Sequence, residues 1–285
     1  MSKERGCRSI EIGGHALALE WADKKSAFLV ALLCQGLPYS NVLIPASVFR
    51  LHTNTNGLEF TIFNDNTYLY RGNNQSLGLS ILIEAMIKRW SKLCTQGLLI
   101  RGALVSINGK GAIIIGRSGS GKTSLAASLL LSGWSYHGDQ LVFITADGQS
   151  CQAFAIPFWF RDGWELPFCE QELSENVFFK DSEKTLLSPA DLMPDWRLTN
   201  NPVVPKLLFV TNFETAASLS LKPIRAGLAA FHLVEALLNN NNLRQGGLDQ
   251  VGKIIRGLNS YELVYGGFEQ LGSFNQLFSK LNAVE

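Results

Sequence analysis

Ala112-Ile113-Ile114-Ile115-Gly116-Arg117-Ser118-Gly119-Ser120-Gly121-Lys122-Thr123-Ser124-Leu125 is an apolar run, a glycine-rich loop and the first residues of a helical pattern that continues to Leu131. Residues 116–123 satisfy the G-x-x-x-x-G-K-[ST] phosphate-loop pattern, and the strand-before, helix-after context gives that pattern physical meaning. Glycines let the backbone curl so that several N–H groups face one anion, and the helix adds its positive end. The residues expected to hold a nucleoside triphosphate are therefore Gly116, Arg117, Ser118, Gly119, Ser120, Gly121, Lys122, Thr123 and Ser124. Lys122 is expected to reach the β- and γ-phosphates, and the Thr123 hydroxyl to ligate Mg²⁺.

Outward from the loop, Leu98–Ile107 reads as a strand joined to Ala112–Ile115 by Asn108-Gly109-Lys110-Gly111, a hairpin signal. An antiparallel neighbour thus precedes the loop, which predicts a mixed sheet rather than the all-parallel sheet of the common doubly wound nucleotide folds. On the other side, Gly133 stops the helical pattern and Trp134–His137 leads to Gly138-Asp139-Gln140, seventeen residues past Lys122 in the case of Asp139. A helix of about three turns and a short return strand would set that carboxylate beside the phosphates, so Asp139 is a candidate Mg²⁺-side ligand.

Residues 9–70 carry short runs (Ile10–Ile12, Ala16–Trp21, Val42–Ile44, Leu58–Phe63, Thr67–Tyr70) punctuated by Gly13-Gly14 and Asn56-Gly57, with a helix possible over Lys25–Cys34. Leu79, Leu82, Ile83, Met86, Ile87, Trp90 and Leu93 then recur at helical spacing and predict a linker helix. The expected organisation is a small, mostly-β N-terminal domain over 1–95 and an α/β phosphate-loop domain over 96–285. Strands with long loops are expected over 146–205, with Glu170–Asp195 as an acidic loop. A strand at Leu207–Val210, helices over Ile224–Leu238 and around Leu248–Leu258, a strand at Tyr261–Tyr265 and a helix over Phe268–Leu281 follow.

The 285 residues are 46% hydrophobic and 17% charged, with 25 basic against 24 acidic side chains. That balance offers no global field to steer the chain to nucleic acid or to an anionic membrane, so phosphate affinity has to be local. Five widely spaced cysteines without a C-x-x-C pair suit reduced thiols, the charged start has no signal-peptide core, and no apolar run approaches the about 18 residues of a membrane span. A cytoplasmic location is the expectation.

The stretch from Arg101-Gly102-Ala103-Leu104-Val105 to Asp139-Gln140-Leu141-Val142 resembles the core of HPr kinase/phosphorylase and its relatives, which share a fold with phosphoenolpyruvate carboxykinase. The family order of His-Gly, hairpin, phosphate loop, helix ending in Gly and Asp-Asp is followed without a gap. Weaker similarity extends through Lys222–Leu238 and Tyr261–Gly266. The resemblance implies an ATP-dependent kinase domain of that fold, with Asp139 as general base toward a serine hydroxyl. HPr kinases are hexamers, so it also permits a homo-oligomer. Arg101 replaces the family His, Gln140 replaces the second Asp, and the Glu-x-Arg-Gly-hydrophobic-Gly signature is missing. The acceptor is therefore open between a serine of a peptide or protein and a small hydroxyl compound, and a nucleotide-responsive regulatory protein stands as the non-enzymatic alternative.

Secondary candidates are Arg101 as a phosphate cation or strand-edge residue, Gln140, His137 two residues before Asp139, and Arg161 after the aromatic run Phe158-Trp159-Phe160. Those aromatics and Trp164 suit either a groove or the core. Glu165 and Glu214 are candidates for a second metal carboxylate, and His15, His52 and His232 read as structural.

Overall fold

The computed structural model describes residues 5–34, 44–54, 59–161, 179–180, 184–196 and 203–282. Among them the chain is mixed α/β, with open, mixed or antiparallel sheets and eight α-helices.

A five-stranded sheet in the order β1-β2-β3-β4-β5 opens the chain: β1 (Gly6–Ile12), β2 (His15–Trp21), β3 (Ser47–Thr53), β4 (Phe60–Asn64) and β5 (Thr67–Gly72). Helix α1 (Lys24–Leu33) connects the parallel pair β2 and β3, and its N-terminus is capped by Asp23, whose carboxylate accepts from Ser26 N at 2.9 Å. β3 was not expected. Its buried set, Ser47, Phe49 and Leu51, alternates with Val48 and Arg50, and Arg50 and His52 break up the apolar run that the sequence reading sought. The expected run at Val42–Ile44 lies outside the described residues except for Ile44, which is exposed and outside any strand.

Helix α2 (Gln75–Leu93) lays Leu79, Leu82, Ile83, Met86, Ile87 and Trp90 onto that sheet's core, as the 3.6-residue period requires. Trp90 is fully buried, stacks edge-on to Phe154 and donates its indole N–H to His15 O at 2.9 Å. The core under α2 also takes in Leu99, Leu141, Phe143 and Phe154, so its packing runs past residue 95.

The expected strand Leu98–Ile107 is two strands in two sheets. β6 (Gly97–Ile100) pairs with β10 (Val142–Thr145), itself paired with β11 (Cys151–Ala153). β7 (Ala103–Ile107) belongs to a six-stranded sheet with β8 (Lys110–Ile115), β9 (Ser135–Gly138), β15 (Val204–Phe213), β16 (Ser220–Pro223) and β17 (Asn259–Tyr265), in the order β16-β17-β15-β8-β7-β9. β17, β15 and β8 are parallel and the outer pairings antiparallel, which is the expected mixed sheet. Asn108 (φ 50°) and Gly109 (φ 75°) both take left-handed conformations, the hairpin turn geometry their residue types favour.

Alternation splits the strands of this sheet between two cores. Ala103, Val105, Ala112, Ile114 and Phe209 face helix α3 (Lys122–Leu131) and the aromatic cluster of Trp134, Tyr136 and Phe274. Leu104, Ile113, Ile115, Leu208 and Val210 face β6 and β10 together with helices α5 (Ala226–Glu235) and α6 (Leu248–Ile255). Burial on both faces is why these strands read as continuous apolar runs.

Within the expected acidic loop lie two strands: β14 (Lys184–Leu187) pairs with β12 (Phe158–Arg161) and with β13 (Phe179–Lys180). The four-residue helix α4 (Pro189–Leu192) follows with a Ser188/Asp191 capping box. Residues 170–178 and 181–183 lie outside the described residues. The expected terminal helix is broken into α7 (Phe268–Leu271) and α8 (Phe274–Asn282) at Gly272-Ser273.

Candidate functional site

Strand register brings the expected residues to one edge. β9 and β8 are both antiparallel to β7, so they run in the same direction, and Gly138 and Ile113 both lie opposite Leu104. Asp139 therefore leaves the sheet on the side where Ile115 enters the phosphate loop. Arg101 precedes β7, whose start lies at that same edge. Here the chain twice changes sheet, from β6 to β7 through Arg101-Gly102 and from β9 to β10 through Asp139-Gln140-Leu141. The second crossing holds Gln140 at φ 69°, a left-handed conformation unusual for a side-chain-bearing residue. At the first, a Cβ on Gly102 would stand 2.6 Å from Ile114 O, so close backbone approach demands glycine.

The loop itself has the predicted form. Gly116, Gly119 and Gly121 have φ of 151°, 82° and 87°. Gly121 is packed under the Tyr265 hydroxyl, which donates to Gly121 O at 2.9 Å. Buried Ser120 Oγ meets Thr211 Oγ1 at 2.9 Å, and Thr211 Oγ1 donates to Ile115 O at 3.1 Å, tying the loop to β15. Helix α3 begins without a side-chain cap and without an acidic residue in its first turn, so its N-terminal amides and dipole remain for an anion.

Lys122 curls over the loop, its Nζ donating to Gly116 O at 2.9 Å and Arg117 O at 2.8 Å. Thr123 Oγ1 donates to Asp139 Oδ2 at 2.6 Å, and Gln140 N donates to Asp139 Oδ1 at 2.7 Å. Asp139 is 1% exposed. Desolvation pushes its carboxyl above the usual range, against the hydrogen bonds from Thr123 and Gln140 and the charges of Lys122 and Arg101. Burial likewise pulls Lys122 down, against the attraction of Asp139.

Arg101 lies beside this pair. Its two terminal nitrogens donate to Glu84 Oε1 and Oε2, each at 2.8 Å, and one of them reaches Gln140 Oε1 at 3.4 Å. The hydrogen-bonded Glu84 carboxylate raises the Arg101 pKa, and the guanidinium in turn lowers that of Glu84. A cavity of about 470 Å³ opens between the loop and α2, bordered by Ser118, Lys122 and Thr123 on one side and Glu84, Arg101 and Gln140 on another. Ile83, Ile156, Trp159 and Phe160 complete its wall. Its volume falls within the range of small-ligand pockets.

Other candidates lie elsewhere. Arg117 is exposed and approaches Glu235 at 3.8 Å. His137 is buried, hydrogen-bonded through Nε2 to Ser106 Oγ at 2.8 Å, and desolvation lowers its pKa to about 4; it does not border the cavity. Arg161 ends β12, but its side chain, like Glu165 and Trp164, lies outside the described residues. Glu214 accepts from Asn212 Nδ2 at 2.5 Å at an exposed position after β15 and does not border the cavity. Of the aromatic run, Phe158 is wholly core, whereas Trp159 and Phe160 reach the cavity.

Glu84 and Ser80 were not foreseen. With Ile83 they occupy one face of α2 at i, i+3 and i+4, and the polar Ser80 and Glu84 beside an apolar stripe were the available signal. Thr211 and Tyr265 carried none, because their roles depend on pairings 91 and 144 residues away.

Thr123 and Asp139 form a hydroxyl and carboxylate set compatible with a hard cation that completes its shell with phosphate oxygens and water. Among the described residues no group of three His, Cys, Asp or Glu would hold a metal independently. Among those residues, too, no helix is long and apolar enough to cross a membrane. No protein-family model matches this chain, and no curated protein matches it significantly.

Proposed function

We propose that this chain is an ATP-dependent phosphotransferase of the HPr-kinase-like type, moving the γ-phosphoryl group to a hydroxyl, with a serine of a peptide or protein as acceptor. The observation that carries this reading is that Lys122 and Thr123 border the cavity while Asp139, buried directly behind them, accepts from the Thr123 hydroxyl. Loop amides and the start of α3 hold the phosphates. Lys122 exchanges its carbonyl partners in the loop for phosphate oxygens, and its ammonium offsets charge on the migrating group. Thr123 and Asp139 would hold Mg²⁺, which would supply positive charge to offset that of the phosphates. Asp139 accepts the proton of the acceptor hydroxyl, a role favoured by the burial that raises its proton affinity. An acceptor enters along Ile83, Ile156, Trp159 and Phe160.

A small hydroxyl compound is the second reading, because a cavity of about 470 Å³ suits a small acceptor beside the phosphate end of a nucleotide. Incubation with γ-labelled ATP and Mg²⁺, first with cell extract, then with serine peptides, then with free hydroxyl compounds, separates the two by where label arrives. Label found only as inorganic phosphate sinks the transferase reading and favours a nucleotide-responsive regulator. Lys122→Ala is expected to weaken ATP binding and transfer together.

A further inference from the structure

The Glu84–Arg101 pair joins α2, a helix built into the core of the N-terminal sheet, to the wall of the loop cavity. A surface arginine seldom holds one rotamer, since ordering its long side chain costs entropy. Here the fork is clamped at both terminal nitrogens by one carboxylate, the geometry in which guanidinium–carboxylate pairs are strongest. The backbone is fixed as well, with Arg101 N donating to Ala236 O at 2.8 Å. The clamp and Gln140 engage only part of the five-donor fork. The guanidinium also interacts electrostatically with both Lys122 and Asp139, which places it in the field of the phosphate end of the site. Two cations converge there, one from the loop and one from the sheet crossing.

We propose that Arg101 is the cation that recognises the terminal phosphate of a nucleoside triphosphate, and that Glu84 on α2 is its positioning residue. This rests on the nucleotide reading of the same loop. The N-terminal segment then helps set how well the site tells triphosphate from diphosphate, through a contact that a separate loop domain would lack. A γ-phosphate gives the guanidinium a second anionic partner while Glu84 keeps the fork aimed, so the pair acts on the terminal phosphate and leaves the α- and β-phosphates to the loop amides.

The test is equilibrium binding of ATP and of ADP, each with Mg²⁺, to the full chain and to Arg101→Met, Arg101→Lys, Glu84→Gln and Glu84→Asp, with thermal unfolding run on each. Arg101→Met is expected to weaken ATP binding about tenfold or more while changing ADP affinity about twofold at most, collapsing the ATP/ADP ratio. Glu84→Gln is expected to lower that ratio in the same direction by a smaller factor, and Glu84→Asp to restore part of it. If Arg101→Met fails to fold, Arg101→Lys carries the test, with a ratio between those of the parent and Glu84→Gln. Equal weakening of ATP and ADP, or an unchanged ratio in Arg101→Met, overturns the assignment of Arg101. An unchanged ratio in Glu84→Gln overturns that of Glu84. A collapsed ratio in a chain that transfers no phosphoryl group upholds this inference and removes the kinase reading, whereas a parent chain that binds neither nucleotide removes both.

Discussion

Replacing Asp139 by Asn separates what the carboxylate does for the fold from the role proposed for it toward a metal-bound nucleotide. In the protein its Oδ2 accepts from Thr123 Oγ1 at 2.6 Å and its Oδ1 from Gln140 N at 2.7 Å, with the side chain essentially sealed from water. An asparagine keeps the second contact through its amide oxygen. Its NH₂ then faces the Thr123 hydroxyl, which can rotate to accept. Two charge-assisted hydrogen bonds become neutral ones, a loss of about 1–2 kcal/mol in all. Removing an ionised group from a buried position recovers a desolvation cost of several kcal/mol. The balance favours the variant by about 1–3 kcal/mol, a rise in Tm of roughly 2–5 °C for a chain of this size. The assay is thermal unfolding at neutral pH in EDTA, followed by ATP binding with and without Mg²⁺. Asp139→Asn is expected to unfold at or above the parent temperature, to bind metal-free ATP at least as well, and to lose the gain in affinity that Mg²⁺ gives the parent, together with phosphoryl transfer. A drop of several degrees in Tm would refute the desolvation argument. An undiminished Mg²⁺ effect would refute the metal role, and full transfer activity would remove Asp139 as the base.

Two further expectations test the scaffold. His137 is held neutral by burial, with a folded-state pKa of about 4 against 6.5 unfolded, so the unfolded chain binds the extra proton first. Stability therefore falls as pH drops from about 6.5 to about 4, by about 3 kcal/mol from this residue alone, and is unaffected by it at higher pH. Denaturant melts of the parent and of His137→Gln across that range check this, and an acid loss as steep in the variant would show the slope arises elsewhere. Gly121→Ala forces a left-handed backbone onto a residue with a Cβ and drives that carbon into the Tyr265 hydroxyl. A loss of about 2–4 kcal/mol is expected, lowering Tm by roughly 3–7 °C and weakening nucleotide binding, and an unchanged Tm would mean that the loop is looser than its packing implies.

The sequence carried the phosphate loop, the Asn108-Gly109 hairpin, the helical stripe of α2 and the spacing from Lys122 to Asp139, because each is set by local backbone chemistry or by periodicity within one element. Asn108 and Gly109 tolerate positive φ, and an apolar run flanked by glycines reads as a strand wherever it packs. The break of Leu98–Ile107 at Arg101-Gly102 was not legible, since both halves are buried and apolar and only their partners, β10 for one and β8 for the other, distinguish them. β3 was missed because Ser47, Arg50 and His52 leave it no continuous apolar run, although its buried residues alternate as a strand requires. Among single residues, His137 is buried and hydrogen-bonded to Ser106, and neither it nor Glu214 borders the cavity.

By itself, then, the sequence determined that a glycine-rich loop with a lysine and a threonine opens a helix, and that a carboxylate follows at a distance able to return to them. Those are properties of short stretches of chain, in which turn geometry and repeat period leave few alternatives. Only the tertiary structure decided that Asp139 meets Thr123 and not solvent, that Gln140 bends left-handed where the chain changes sheet, and that Glu84, seventeen residues before Arg101, closes a fork on it from the neighbouring helix. Each of those depends on register between strands and on packing between elements distant in sequence, and no local pattern encodes which face of one element another will meet.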